Sequence, residues 1–132
     1  MITAVDSSAL IAIISAQPNA ADWVRVLAQA RGAGPLVCSD VVYAEVGIGF
    51  GDQAELDRVL AALGVQFDPV QADAAWTAGQ IFKQYRRQGG PRTNLIPDFL
   101  VAAHAQIQAN RLASSDRGYL RRYFPNLGLI QP

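Results

Sequence analysis

Residues 2–14 read ITAVDSSALIAII, and the change of character at Asp6 decides what kind of protein this is. Ile2 to Val5 is a short apolar run with β-branched residues, the signature of a buried strand. Ser7 and Ser8 then offer a helix cap, and SSALIAIISA continues as an apolar helix until Pro18 and Asn19 break it. A strand that passes at once into a helix opens a βαβ unit.

The same alternation recurs along the chain. A helix over AADWVRVLAQA ends at RGAGP, and LVCS forms a second strand. DVVYAEVGIGF is helical, with Asp40 near its start, and loosens at Gly47, Gly49 and Gly51. DQAELDRVLAALG is amphipathic, with Leu56, Val59, Leu60 and Leu63 on one side and Gly64 as its stop. VQFDPV is a third, weak strand, because Pro69 can sit only at its edge or end. ADAAWTAGQIFKQYRRQ is helical, and a further helix opened by Pro97 and Asp98 runs to about Arg111. RLASS, DRGYLRRYF and LGLIQ supply a fourth strand, a short helix and a fifth strand. This predicts an α/β domain over residues 1–132, about five mostly parallel strands flanked by helices, with no internal repeat or linker.

Composition narrows the function classes. Half the 132 residues are hydrophobic and 17% are charged, which excludes a disordered chain. Met1 to Ala9 carries an acid and no basic leader, so it does not read as a signal peptide. The apolar runs fall short of the roughly 20 residues that span a bilayer. One cysteine, Cys38, rules out an intramolecular disulfide and suits a reducing, cytoplasmic setting. Cys38, Trp23 and Trp76 read as core, and His104, about 120° around its helix from Asp98, as a packed structural histidine.

A net charge of zero hides a division. Residues 1–79 hold three arginines against nine acids, a balance of −6, whereas residues 80–132 hold eight cations against two acids, a balance of +6. The two late acids, Asp98 and Asp116, both lie in basic surroundings.

Ligands of a parallel α/β sheet bind outside the carboxyl ends of its strands. Asp6 follows the first strand, Asp116 the fourth; Glu45 lies about a turn into the helix after the second; Asp98 opens the helix leading into the fourth. Any one alone is a cap, a turn or a snorkelling acid. Four arriving at one edge repel one another unless something compensates. A hard divalent cation does so, and an all-oxygen set suits Mg²⁺ or Mn²⁺ rather than Zn²⁺. Such a site in a basic half points to metal-dependent hydrolysis of a nucleic acid phosphodiester. Arg86, Arg87 and Arg92, flanking the GGP at residues 89–91, and Arg117 beside Asp116 are the candidate phosphate contacts.

AVDSSALIAII, SDVVYAEV, IPDFLVAAHA and LASSDRGYLRRYFPNLGLI resemble, in order and spacing, the four acidic blocks of PIN-domain nucleases, and within them VapC toxins of toxin–antitoxin pairs. The resemblance implies that Asp6, Glu45, Asp98 and Asp116 are catalytic, metal-binding acids, with Ser114 supporting the site by hydrogen bonding. It implies strand order 3-2-1-4-5, Mg²⁺ or Mn²⁺ as cofactor, RNA as substrate, a homodimer, and a neutralising VapB-like antitoxin. Two rivals remain at this point: a non-catalytic RNA- or protein-binding PIN-like module, and a receiver-type phosphoacceptor domain. A receiver needs a lysine after its last strands, and the only lysine, Lys83, precedes the fourth strand.

Overall fold

The computed structural model describes residues 1–91, 96–116 and 118–132, with only the backbone of residues 118–120. Five short strands, β1 (Thr3–Val5), β2 (Leu36–Cys38), β3 (Val65–Phe67), β4 (Arg111–Ala113) and β5 (Gly128–Ile130), form a sheet ordered β3-β2-β1-β4-β5. Every pairing is parallel, and Val5 lies beside Ala113 where β1 meets β4. The order reverses between β1 and β4, which opens a crevice at their carboxyl ends. β1 and β2 are buried at all three positions, as strands covered on both faces must be. β3 buries Val65 alone and lies at an edge of the sheet, with Pro69 beyond its end.

The helices are α1 (Ser7–Ile14), α2 (Ala20–Ala33), α3 (Asp40–Gly47), α4 (Gln53–Leu63), α5 (Ala72–Arg87), α6 (Ile96–Gln108) and α7 (Gly118–Tyr123). Asp52 caps α4 by accepting from the Glu55 N–H at 2.8 Å, and Gly64 ends it at φ +77°, a conformation that favours glycine. Three expectations are corrected. The cap of α1 is Asp6, not Ser7 or Ser8, because the aspartate oxygen reaches the Ser7 N–H. α6 begins at Ile96 and ends at Gln108, so Asp98 is its third residue rather than its cap. Trp76 is exposed on α5, 70% accessible, whereas Trp23 is buried; Ala74, Ala78 and Tyr85 fill the buried face that Trp76 was expected to share.

His104 and Asp68 determine how α5 lies. The buried His104 Nε2 meets Asp68 Oδ2 at 2.9 Å, and Gln108 Nε2 donates to the same oxygen at 3.1 Å and to the Pro69 carbonyl at 3.0 Å. Gln108 Oε1 accepts from the Gln71 N–H at 2.8 Å. The start of α5 is thereby tied to the end of α6. At the other end Tyr85 packs against Phe99, ring centroids 5.1 Å apart. α5 and α6 are therefore antiparallel, and the carboxyl end of α5 lies level with the first turn of α6.

Phe99 is fully buried and gathers rings from two helices, α5 and α7, and the segment beyond α7: Phe82 at 5.1 Å edge-on, Tyr85, Tyr123 at 6.3 Å and Phe124 at 6.1 Å. These contacts fix the turn that carries Asp98. Phe99→Ala is expected to destabilise the fold by about 3–5 kcal/mol, measured by denaturant unfolding. A loss below about 1 kcal/mol would show that the aromatic cluster does not anchor α6.

Candidate functional site

Asp6 follows β1 directly, and its backbone N–H donates to the Ala113 carbonyl of β4 at 2.9 Å. Its side chain is held on both oxygens. Oδ1 accepts from the Ser7 N–H at 2.8 Å; Oδ2 accepts from Ser8 Oγ at 2.8 Å and Ser114 Oγ at 2.7 Å. A carboxylate fixed by three donors keeps its orientation.

Ser114, fully buried after β4, links two acids. Its hydroxyl donates to Asp6 and accepts from the Asp116 N–H at 3.1 Å. Ser8 Oγ accepts from the Ser115 N–H at 3.2 Å, so the turn from β4 to Asp116 is stitched to the first turn of α1. Gln131, just past β5, closes the turn from the other side. Its Nε2 donates to the Ser114 carbonyl at 2.8 Å and the Asp116 carbonyl at 3.1 Å. Ser8 and Gln131 were not among the expected site residues. Ser8 could have been found from its position two residues after an acid; Gln131 carries no local signal.

Asp6, Glu45, Asp98 and Asp116 line one cleft of about 70 Å³, together with Ser7, Val101 and Leu112. Glu45, from the second turn of α3, and Asp98, from the first turn of α6, face the pair placed by β1 and β4. The pKa of Glu45 is raised, first by partial burial of its carboxyl and then by the charges of Asp6 and Asp98; a hydrogen bond with Ser7 opposes this. The residue as a whole is exposed, so the burial concerns its tip in the cleft.

The donor set is oxygen alone, which fits a hard cation and excludes a thiolate or imidazole site. Among the described residues no three Asp, Glu, His or Cys side chains close around a single point as an inner coordination shell would. The cleft instead has room for a cation that keeps several of its waters, as Mg²⁺ does. The other candidates lie elsewhere. Cys38 is buried, and burial followed by the charge of Asp68 pushes its thiol up to about 11, which leaves it protonated. His104 is bonded to Asp68 beneath the surface, the structural histidine expected. Arg86 and Arg87 are exposed at the end of α5 outside the cleft, whereas Arg92 and Arg117 fall outside the described residues. Arg111 of the basic half is engaged with Thr3, its Nε donating to Oγ1 at 2.9 Å.

Crowding at Glu45 has a consequence for stability. A carboxyl whose pKa is raised on folding favours the folded state below its ordinary value of 4.5, and that contribution is lost as pH rises. In EDTA, Glu45→Gln is expected to melt higher than the parent near about pH 7, with the gap closing toward about pH 4. A gap that does not change across that range would mean that Glu45 is not crowded.

Comparison with known proteins follows the same outline. Residues 3–125 match the PIN domain family. Among solved structures, the chain is similar to one in VapBC2 from Rickettsia felis bound to a DNA fragment from their promoter. The two share 22% identity at a TM-score of 0.73, covering 98% of each chain. It is also similar to a chain of VapBC-1 from nontypeable Haemophilus influenzae, at 19% identity and a TM-score of 0.72, covering 99% of this chain and 98% of that one. FitAcB from Neisseria gonorrhoeae is a third, at 18% identity and a TM-score of 0.66, covering 100% and 98%. At these identities the likeness is one of fold. No curated protein sequence matches the chain. The family match takes in β1 to β4 and all four acids of the cleft, and the chain belongs to the PIN-domain family.

Proposed function

We propose that this protein is a Mg²⁺- or Mn²⁺-dependent endoribonuclease, the toxin of a toxin–antitoxin pair, and that Asp6, Glu45, Asp98 and Asp116 are its metal-binding and catalytic acids. The observation that carries this is the convergence of these four carboxylates, from four separate segments, in one cleft at the switch point of the sheet. Family membership supports the nuclease reading and sets aside the receiver-type alternative. The fold shared with chains of VapBC complexes supports a VapB-like antitoxin as partner; RNA as substrate and a homodimer as the working form belong to the same proposal. No helix among the described residues is long and apolar enough to cross a membrane, in keeping with action in the cytoplasm.

The cleft's own residues explain why a cation is needed. Among the described residues its lining includes four acids, and a cluster of carboxylates disfavours an incoming phosphodiester. Asp6, Glu45, Asp98 and Asp116 would hold a divalent ion, which would offset their charge and supply Lewis-acid chemistry toward the phosphate and an activated water. Asp6, rigid in its three hydrogen bonds, and Asp116, set by the Ser114 bridge, form the fixed side of the site. Glu45 and Asp98 come from helices α3 and α6 on the facing side. Ser114 would act through the two acids it links.

The test separates ligand from helix residue at Asp98. Asn has nearly the same shape, and removing a charge from the first turn of α6 costs about 0.3–1 kcal/mol through the helix dipole. A folded Asp98→Asn protein is expected to have lost RNA cleavage and to show a smaller Mg²⁺-induced rise in melting temperature. EDTA should abolish cleavage by the parent, and added Mn²⁺ or Mg²⁺ should restore it. Cleavage retained by the folded Asn variant, or surviving exhaustive chelation, would refute the proposal. RNA binding by the parent without any metal-dependent cleavage would favour the non-catalytic module.

A further inference from the structure

The exposed Trp76 is not explained by the core or by the acidic cleft. It lies on α5 with 70% of its surface accessible, and Gln80, Lys83 and Arg87 on the same helix are exposed as well. At 3.6 residues per turn, Lys83 and Arg87 fall within about 20° of Trp76 around the helix axis, and Gln80 within about 40°. The four side chains make one straight stripe about 17 Å long. Asp73 is the only acid of α5 and lies a turn before Trp76, toward the amino end. Among the described residues no ion pair neutralises Lys83, Arg86 or Arg87. The opposite face of α5, with Ala74, Ala78 and Tyr85, is buried, so the stripe points away from α6.

The basic residues in the last turn also complement the helix dipole. That role explains neither Lys83, a turn earlier, nor an indole left in solvent. A single exposed aromatic needs no explanation by itself. An aromatic in line with two unpaired cations is the combination that holds single-stranded nucleic acid: a base stacks on the ring while ammonium and guanidinium groups take the phosphates. The stripe also ends in the right place. Tyr85 packs on Phe99, the neighbour of Asp98, so Arg87 lies level with the turn of α6 that delivers Asp98 to the cleft.

The geometry points to the Trp76–Gln80–Lys83–Arg87 face of α5 as a docking track for a single-stranded segment of the RNA substrate, outside the cleft and ending level with the turn of α6 that carries Asp98. This deepens the nuclease reading and rests on it for the substrate class. The charge of the stripe selects a polyanion as occupant over an apolar partner.

The test measures affinity for a labelled single-stranded RNA oligonucleotide in EDTA, apart from cleavage. Trp76→Ala is expected to weaken binding roughly ten-fold, while Trp76→Phe keeps most of it because a ring remains. Lys83→Ala with Arg87→Ala should flatten the plot of log affinity against log salt by roughly 0.7 per contact removed. All three proteins should melt like the parent, since each altered side chain is exposed. Quenching of the parent's tryptophan fluorescence by RNA should disappear in Trp76→Phe. Unchanged affinity in Trp76→Ala would overturn the track, and so would its conversion of a sedimenting dimer to monomer, which would make this face a subunit contact. Metal-dependent cleavage by the parent is scored separately. Cleavage without any effect of the stripe variants refutes the track alone, and stripe-dependent binding without cleavage refutes the nuclease reading alone.

Discussion

Mutual repulsion among four carboxylates is the constraint around which this fold is arranged. Asp6, Glu45, Asp98 and Asp116 share one cleft, and each of them ionised makes the others costlier. The upward shift at Glu45, driven by partial burial and by Asp6 and Asp98, is the direct trace of that cost. Such a cluster persists only where the surrounding structure holds it. Among the described residues backbone, hydroxyl and amide donors give that support. Three hydrogen bonds fix Asp6, one buried serine ties it to the turn of Asp116, and Gln131 closes that turn from beyond β5.

The sheet explains why these acids meet although they are 39, 53 and 18 residues apart in sequence order. Parallel strands deliver their carboxyl ends to one edge, and the reversal of order between β1 and β4 leaves a gap there. The aromatic cluster around Phe99 then determines where α6 brings Asp98. Packing far from the cleft therefore sets the geometry inside it.

Much of this was legible in the sequence because the signals are local. Strand-then-helix alternation predicted the parallel sheet, and an acid at each junction predicted which edge would carry the chemistry. Pro69 was expected at the edge or end of the third strand, and it lies just past the end of β3. What could not be read depends on contacts between distant segments. Gln131 reaches Ser114 and Asp116 only because β5 lies beside β4. Ser7 and Ser8 lost the cap of α1 to Asp6, since the stronger acceptor was one residue closer to the strand. Trp76 was misplaced because apolar periodicity in α5 fits either side of the helix. Ala74, Ala78 and Tyr85 took the buried face and left the indole outside. The basic half was read as one charged region, yet Arg111 is engaged with Thr3 while Arg86 and Arg87 stand exposed at the end of α5.

The central claim is that the repelling carboxylates exist to hold a divalent cation. Its most direct test is a crystal of the protein soaked in Mn²⁺ and measured for anomalous scattering. The account predicts a peak in the cleft bounded by Asp6, Glu45, Asp98 and Asp116, bonded directly to some of these carboxylates and through water to the rest. A well-ordered crystal with Mn²⁺ in its solvent and no anomalous peak in that cleft would contradict it.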